Sequence, residues 1–353
     1  MQSTVSVVDR RKNSKRPIIT VVLEESCPEV RSAPVAPRPL LKWAGGKRQL
    51  LPVLRQWVPE RFDRYFEPFL GSGALFFNLA GNGTLSNRLA CLTDANGDLI
   101  DCYQNVRDET DAVIAALEEL AADHARRGSA CYYDVRDRQF NPARAAGERA
   151  TPRLAAMLIY LNRTGFNGLY RLNRRGAFNV PAGRYDRPRI CDPAHLRTVA
   201  ATLRQPGVTL THGAFDVAIA DAGPGDFIYC DPPYAPLSPT SSFASYTADG
   251  FADADQARLQ RAVIAAAARG AVVLLSNSSA PSIEELYQAP EARRAGFVLH
   301  RLPARRAINS RASARGVVDE LLITNARRRD LGVSRPQMLK AGIHTRTRER
   351  KRA

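Results

Sequence analysis

Short apolar runs alternate with amphipathic stretches along most of the chain, and this alternation predicts an α/β fold. Strands are predicted at "DRYFEPF", "LACLTDAN", "GVTLTHGAF", "DFIYC" and "GAVVLLSN", with a closing antiparallel pair at "GFVLHRL" and "DELLITN". Helices are predicted at about 98–106, 111–127, 133–140 and 151–162, and from Asp255 to Arg269. Strands and helices in this order form a largely parallel sheet, which binds ligands at the carboxyl ends of its strands.

Three segments break the alternation. Residues 161–189, "LNRTGFNGLYRLNRRGAFNVPAGRYDRPR", are rich in Arg, Asn and Gly, with interspersed Phe and Tyr and a single acidic residue. Because they lie between two halves of the α/β pattern, they are predicted to be an insertion with its own role. The ends of the chain, 1–38 and 331–353, are basic and are predicted to be disordered arms, apart from an isolated strand candidate, "IITVVLEE".

The charge of the chain favours a polyanionic partner. The 353 residues are 44% hydrophobic, which is enough for a sizeable core, and 51 Lys and Arg outnumber 35 Asp and Glu to give a net charge of +16. A balance this basic indicates nucleic acid first. The alternative is an arginine-rich genome combined with basic tails.

The cysteines and the apolar runs exclude several classes of protein. The six cysteines are scattered without a C-x-x-C spacing, so neither a zinc site nor a disulfide framework is expected, and a reducing cytoplasm fits best. The first residues lack the apolar region of a signal peptide. The run "AVVLLS" is too short to span a membrane.

A glycine-rich turn is predicted where the first strand meets a helix. In "FEPFLGSGALFF", Gly71 and Gly73 follow a strand that ends in Glu67, and glycines there allow a tight bend and the close approach of a ligand. Asp94 ends the next strand, where nucleotide-binding folds hold a ribose hydroxyl pair. An equally good interpretation of Asp94 is an N-cap for the helix that begins in "GDLIDCY".

The stretch "YCDPPY", residues 229–234, combines an acceptor-only carboxylate, two rigid prolines and an aromatic ring at the end of a strand. Asp231 and a neighbouring proline carbonyl offer two acceptors to a group with two N–H donors, and Tyr234 offers a flat face. The motif therefore predicts a clamp for an amino group on a planar heterocycle. The alternative is a tight turn with Asp231 as an N-cap.

Five segments together resemble the motifs of Dam-type DNA adenine-N6 methyltransferases, the D12 class with alpha-group motif order. They are "LLKWAGGKRQLLP", "FEPFLGSGALFFN", "LTDANGDLI", "LNRTGFNGLYRLNRRGAFNVPAGRY" and "YCDPPYAPLS", and the resemblance covers about residues 40–325. It implies a Rossmann-like S-adenosylmethionine-dependent methyltransferase sheet with an inserted, mainly helical target-recognition domain. The implied boundaries are 39–103 and 193–330 for the two parts of the catalytic domain and 104–192 for the insertion.

The resemblance also implies an activity and its partners. A methyl group passes from S-adenosylmethionine to the N6 amine of adenine in double-stranded DNA, with GATC as the expected target, after the base flips out of the duplex. Neither a metal nor a covalent intermediate is needed. The implied protein is a monomeric, cytoplasmic enzyme of a bacterium or a phage.

The family's functional positions map onto this chain through its motifs. The implied catalytic residues are Asp231, Pro232, Pro233 and Tyr234. The implied cofactor-binding residues are Trp43, Lys47, Glu67, Phe69, Gly71, Gly73, Asp94, Phe215 and Asp231. The implied DNA-binding residues are Lys42, Phe166, Asn167, Leu169, Arg171, Asn179, Pro181 and Tyr185.

Several of these assignments are more specific. Arg171 is expected to read a guanine edge, and Phe166 and Asn167 to enter the stack that the adenine leaves. Phe215 either packs the cofactor adenine or is an ordinary core residue. Arg174, Arg175 and Arg187 are expected to touch phosphate or only water. The chain departs from the family at Phe166, where Tyr is frequent, and at Tyr170.

Three other functions stay open on the sequence alone. A catalytically silent DNA-binding module would keep the fold, although the intact clamp and glycines argue against it. A nicotinamide-dependent oxidoreductase lacks support because Ala74, Leu75 and Phe76 follow Gly73 and break the G-x-G-x-x-G spacing. The clamp by itself does not distinguish adenine N6 from cytosine N4 or from RNA.

Overall fold

The computed structural model of the chain describes residues 36–43, 45–237, 251–305 and 317–331. The strand predicted at 18–25 and nearly all of both predicted arms lie outside these residues. The strands are β1 (Arg64–Glu67), β2 (Leu89–Asp94), β3 (Val208–His212), β4 (Asp226–Cys230), β5 (Val272–Ser278), β6 (Val298–Arg305) and β7 (Val317–Thr324).

The strands form one sheet in the order β3-β2-β1-β4-β5-β7-β6. From β3 to β5 neighbouring strands are parallel, whereas β7 is antiparallel to both β5 and β6. The predicted Rossmann-like α/β class and the closing antiparallel pair are confirmed. The strand order reverses at the β1–β4 pair, and open sheets of this type bind ligands in the crevice at such a reversal.

Helices cover the sheet and fill the connection between β2 and β3. They are α1 (Leu51–Leu54), α2 (Ala74–Gly81), α3 (Gly97–Asp108), α4 (Thr110–Arg127), α5 (Ser129–Asp134), α6 (Asn141–Ala145), α7 (Pro152–Thr164), α8 (Pro193–Leu203), α9 (Phe215–Ala218), α10 (Asp253–Arg269), α11 (Pro281–Gln288) and α12 (Pro290–Arg294). Shorter 3-10 turns occupy Lys47–Gln49, Arg55–Trp57, Phe166–Gly168 and Arg328–Asp330.

Helix starts follow from capping residues that the sequence contains. Thr151 caps α7 by accepting from the Leu154 N–H at 3.2 Å. Asp192 caps α8 by accepting from the His195 N–H at 3.2 Å, and Pro193 takes the first helical position. No helix was predicted at α8, although this Asp-Pro pair is a typical start signal.

The segment predicted to be helical at 133–140 is helical in the structure, although not as one regular α-helix. The chain folds there as α5 followed by a π-helical turn, Val135–Phe140, in which the Asn141 N–H donates to the Arg136 carbonyl five residues back. Pro142 lacks the N–H that would continue the α-helical hydrogen bonding at this point. A wider turn is the consequence.

The core lies on both faces of the sheet because alternate strand residues point to opposite sides. Tyr65 and Tyr229 belong to the cluster on one face, and Phe66 and Cys230 belong to the cluster on the other. Every residue of β4 is buried, as expected for a central parallel strand covered on both sides. The loop after β4 therefore begins at the end of a fully buried strand.

The connection between β2 and β3 contains α3 to α8. Between α7 and α8 the chain is irregular, with antiparallel bridges that pair Gly165 with Ala182 and Leu172 with Phe178. The single helix α3 runs across the predicted domain boundary at residue 104. The predicted division into catalytic and target-recognition domains stays a prediction.

Candidate active site

Three carboxylates lie at the carboxyl edge of the sheet, beside the reversal in strand order. Glu67 is the last residue of β1, Asp94 is the last residue of β2, and Asp231 directly follows β4. Because β1 pairs with both β2 and β4, these strand ends are neighbours. The topology thus brings together acids that are far apart in the sequence.

The turn between β1 and α2 requires glycine at two positions. Gly71 has φ +47° and Gly73 has φ +63°, in the left-handed region. A Cβ atom at Gly71 would lie only 2.9 Å from Cδ1 of the Trp43 indole, so the backbone passes close to that ring. The Tyr103 hydroxyl donates to the Gly71 carbonyl at 3.2 Å. Trp43 therefore packs against the glycine turn at Gly71.

Asp94 fastens this turn to β2. One carboxylate oxygen accepts from the Gly71 N–H at 2.9 Å, and the other accepts from the Asn96 N–H at 2.9 Å. The N-cap of α3 is Asn96, whose side chain accepts from the Leu99 N–H at 3.3 Å, so the interpretation of Asp94 as the cap is wrong. Burial raises the pKa of Asp94, and the two backbone N–H groups oppose that rise. Each oxygen keeps a further lone pair for a ligand.

Glu67 is buried beneath the same turn. Its side chain is 2% exposed and accepts a hydrogen bond from the Tyr65 hydroxyl at 2.7 Å. Burial raises the pKa of Glu67 to about 8, with Asp231 and Asp94 adding to the rise and the Tyr65 hydrogen bond opposing it. Glu67 is therefore mostly protonated at neutral pH.

Asp231 is paired with Lys47. The Lys47 ammonium lies 2.8 Å from Asp231 Oδ1, donates to the Gly45 carbonyl at 2.8 Å, and sits 4.5 Å from the centre of the Tyr234 ring. Burial raises the pKa of Asp231 to about 6, although the Lys47 charge lowers it. Lys47, a predicted cofactor-binding residue, thus contacts both Asp231 and Tyr234 of the predicted clamp. The described partner of the Lys47 charge is therefore the Asp231 carboxylate.

A buried polar network holds the motif "DPPY" against the sheet. Gln256 of α10 donates to the Pro233 carbonyl at 2.9 Å, and Asn277 of β5 donates to the Gln256 side-chain oxygen at 3.0 Å. The Asn277 side-chain oxygen Oδ1 accepts from the Ala235 N–H at 3.2 Å. Because Gln256 uses the Pro233 carbonyl, Pro232 stays the predicted proline acceptor of the clamp. No helix follows Asp231 among the described residues up to 237, so the alternative of an N-cap is wrong.

An aromatic cluster lies next to the glycine turn. Phe69 stacks on Phe215 with ring centres 5.2 Å apart, and Phe251 contacts both rings. Phe215 is 5% exposed and carries the Arg258 guanidinium 4.5 Å from its ring centre. Both interpretations of Phe215 stay open, and Phe251 was missed because nothing in its sequence surroundings distinguishes it.

The predicted target-recognition residues lie on the irregular segment between α7 and α8, except Lys42, which lies before β1 and contacts this segment. Phe166 is 50% exposed, and the exposed Asn167 beside it has φ +54°. Lys42 lies over the Tyr185 ring at 4.7 Å, and the Tyr185 hydroxyl donates to the Gly165 carbonyl at 3.3 Å. Leu169 is half-buried against the core and Pro181 is exposed.

Arg171 and Asn179 face each other beside the bridge between Leu172 and Phe178. Arg171 donates from Nε to Asn179 Oδ1 at 2.7 Å and from Nη2 to the Asn179 carbonyl at 3.2 Å. The guanidinium has five N–H donors, so its outer end keeps free donors in a fixed direction. Arg174, Arg175 and Arg187 are exposed, which fits their expected contact with phosphate or water.

Two sets of contacts join the insertion to Lys42 and Trp43, and the sequence did not reveal them. Asn162 donates to the carbonyls of Lys42 and Gly168 at 2.7 and 2.8 Å. Tyr170 stacks on Trp43 with ring centres 5.6 Å apart, and its hydroxyl donates to Asp98 at 2.5 Å. The unusual residue at 170 thus supports Trp43 from the side of the insertion.

Two kinds of feature are absent from the described residues. No group of three or more His, Cys, Asp or Glu side chains in this part of the chain could hold a metal ion. None of the helices in the same ranges is long and apolar enough to cross a membrane.

Comparison with known proteins gives a consistent result. The family model described as "D12 class N6 adenine-specific DNA methyltransferase" matches residues 43–308. The type II methyltransferase M1.LlaDCHI of Lactococcus lactis subsp. cremoris is 40% identical over 289 residues, which cover 82% of this chain and 95% of that protein. M.MjaIII of Methanocaldococcus jannaschii is 37% identical over 300 residues, 82% and 99% of the two chains. The DNA adenine methylase of Escherichia coli K12 is 36% identical over 285 residues, 81% and 94%.

Proposed function

The chain belongs to the D12 class of N6 adenine-specific DNA methyltransferases, and from this premise we propose that it transfers a methyl group from S-adenosylmethionine to adenine N6 within GATC in duplex DNA. The observation that carries the proposal is that Asp231 directly follows β4 at the reversal in strand order, and that its ion-pair partner Lys47 lies over the Tyr234 ring.

The residues at the glycine turn fit S-adenosylmethionine. Gly71 lets the turn pass close to the Trp43 indole, Asp94 keeps acceptor lone pairs at the end of β2, and Phe69 offers an apolar ring. The carboxylates at this edge suit a ligand that carries a positive charge. When bound, S-adenosylmethionine supplies a methyl group on a positively charged sulfur.

Asp231 and Pro232 activate the acceptor. Adenine N6 is a poor nucleophile because its lone pair is delocalised into the ring. Two hydrogen bonds from the amine, to the Asp231 carboxylate and the Pro232 carbonyl, favour a tetrahedral nitrogen whose lone pair is available for attack. The carboxylate also stabilises the positive charge that develops on nitrogen. Correct positioning alone can lower the barrier by several kcal/mol, up to about 7–11 in ideal intramolecular reactions.

The Lys47 ion pair has a place in this scheme. Only the ionised carboxylate is purely an acceptor, and Lys47 favours that form in a buried site. For the amine to reach Asp231, the target base must share this carboxylate with the ammonium. The free lone pairs of Asp231 allow this sharing.

The target adenine must leave the duplex to reach Asp231, at a cost of a few kcal/mol. Tyr234 offers a ring for stacking, and because Lys47 lies over one face, the opposite face is the one available to the base. Phe166 is half exposed on the irregular segment between α7 and α8, where an apolar ring can fill the space that the base leaves.

Arg171 supports the assignment of a guanine-containing target. Arg is the commonest bidentate reader of guanine O6 and N7. Asn179 holds the inner edge of the guanidinium and directs the free outer donors away from the loop, which fits a reader better than a flexible phosphate contact.

The test is transfer of labelled methyl to duplex oligonucleotides in which each position of GATC is changed in turn, with N6-methyladenine identified in the digested product. We expect the intact site to be methylated at adenine N6 and every substituted site to react at least tenfold more slowly. Equal rates on all sequences would refute GATC, and label on cytosine would refute the adenine assignment.

A further inference from the structure

Glu320 lies in the candidate active site, yet it belongs to none of the motifs found in the sequence. It is on β7, where it pairs with Ser278 of β5 in the antiparallel register. The Tyr234 hydroxyl donates to Glu320 Oε2 at 3.0 Å across 86 residues of sequence. β7 thus contributes a carboxylate behind the ring of the clamp.

The Tyr234 ring is held at two points. Its hydroxyl is fixed by Glu320, and one face contacts the Lys47 ammonium at 4.5 Å from the ring centre. Burial raises the pKa of the Tyr234 hydroxyl well above its usual value, so the hydroxyl stays protonated and donates to the carboxylate. A ring fixed at its far end cannot tilt freely about its side-chain bonds.

We propose that Glu320 is a positioning residue for methyl transfer, which holds the Tyr234 ring in the orientation on which the target adenine stacks. The inference rests on the proposed function and adds to it a residue that acts through Tyr234. A stacked base gains from a ring whose orientation is already fixed, because little conformational freedom is then lost on binding.

Glu320 also places a negative charge near Asp231. This charge adds to the rise in the pKa of Asp231, whereas Lys47 opposes it. The titratable groups that interact electrostatically with Asp231 among the described residues are Lys47, Glu67, Tyr229, Cys230, Tyr234 and Glu320. Removal of the Glu320 charge is therefore expected to move the acid limb of the rate profile to lower pH.

Two substitutions separate the two effects. Glu320→Ala removes both the acceptor and the charge, whereas Glu320→Gln keeps an acceptor for the Tyr234 hydroxyl and removes only the charge. Asp319→Asn on the same strand is the matched control, because this side chain is 44% exposed and its ion pair with Arg301 is long, at 4.0 Å.

The rate is measured as methyl transfer to a GATC duplex by the full chain. Stacking is measured separately by fluorescence, on a second duplex that carries 2-aminopurine at the target position and is not methylated there because it lacks the 6-amine. We expect Glu320→Ala to lower kcat about tenfold, with the KM for S-adenosylmethionine changed less than threefold. Tyr234→Phe should give a similar loss, and the double variant should be no slower than either single one. Glu320→Gln should keep most of the rate at pH 8 and shift the acid limb to lower pH, whereas Asp319→Asn should change neither.

An unchanged kcat in Glu320→Ala, or losses that multiply in the double variant, would overturn the proposal. If Glu320→Ala fails to fold, wild-type kcat together with wild-type 2-aminopurine fluorescence in Tyr234→Phe, which lacks the hydroxyl that Glu320 accepts from, would do the same. Wild-type activity is measured first, since its absence refutes the proposed function rather than the role of Glu320.

Discussion

Replacing Lys47 should move the pH dependence of methyl transfer. The Asp231 carboxylate must be ionised to accept from the amine, and its pKa of about 6 sets the acid limb. Two unit charges 4 Å apart interact by about 4 kcal/mol at an effective dielectric constant near 20. The Asp231 side chain is 22% exposed, so we take about a third of that value for the 2.8 Å pair, or roughly one pKa unit.

Lys47→Gln should therefore shift the acid limb of the kcat profile to higher pH by at least about one unit. At pH 8.5 kcat should stay within about threefold of wild type, and at pH 6 the ionised fraction should fall from about a half to about a tenth. The assay is the kcat profile from pH 5 to 9 at saturating S-adenosylmethionine, with Lys47→Arg as the variant that keeps the charge. A limb in Lys47→Gln at or below the wild-type position would refute the ion pair as the stabiliser of ionised Asp231.

Three further predictions concern stability, specificity and the buried network. The pKa of Glu67 is raised from 4.5 to about 8 in the folded chain, so the free energy of unfolding should fall by on the order of 4 kcal/mol as pH rises through that range. Glu67→Gln should therefore flatten the fall in melting temperature from pH 5 to 8. Parallel melting curves for wild type and variant would contradict this. Arg171→Ala should relax selection at one guanine–cytosine pair of GATC by about 1–3 kcal/mol, whereas Arg174→Ala should slow all sites alike or do nothing; the ratio of rates on singly substituted duplexes decides between them. Asn277→Ala leaves buried partners without hydrogen bonds and should lower the free energy of unfolding by about 1–3 kcal/mol in chemical denaturation. It should also lower kcat at temperatures where the variant is fully folded. A loss of stability without a loss of kcat would show that the network does not support the clamp.

The sheet and the main motifs were predictable because their signals are local. Apolar runs such as "DFIYC" mark buried strands, and the glycines and Asp231 lie within a few residues of a strand end. The residue that caps α3 was not predictable from the sequence. Asp94 and Asn96 are two residues apart, and both residue types favour the N-cap, so only the hydrogen bond from Leu99 shows which one caps α3.

The supporting residues were hidden because their partners are distant in sequence. Glu320 meets Tyr234 across 86 residues, and Asn277 meets Gln256 across 21. In the sequence Gln256 is one polar residue of an amphipathic helix, and Asn277 is one near a strand end. Burial is what gives them a role, and burial depends on which elements the fold packs together.

The central claim is that Asp231 in its clamp activates adenine N6, and its most direct test is transfer of labelled methyl to a GATC duplex by wild type and by Asp231→Ala. The circular dichroism and melting curve of the variant serve as the control for folding. We predict label on adenine N6 with wild type, and a rate at least about a hundredfold lower with the folded variant, since removal of one preorganised polar partner costs that much elsewhere. A folded Asp231→Ala protein that methylates DNA within about threefold of wild type would contradict the claim.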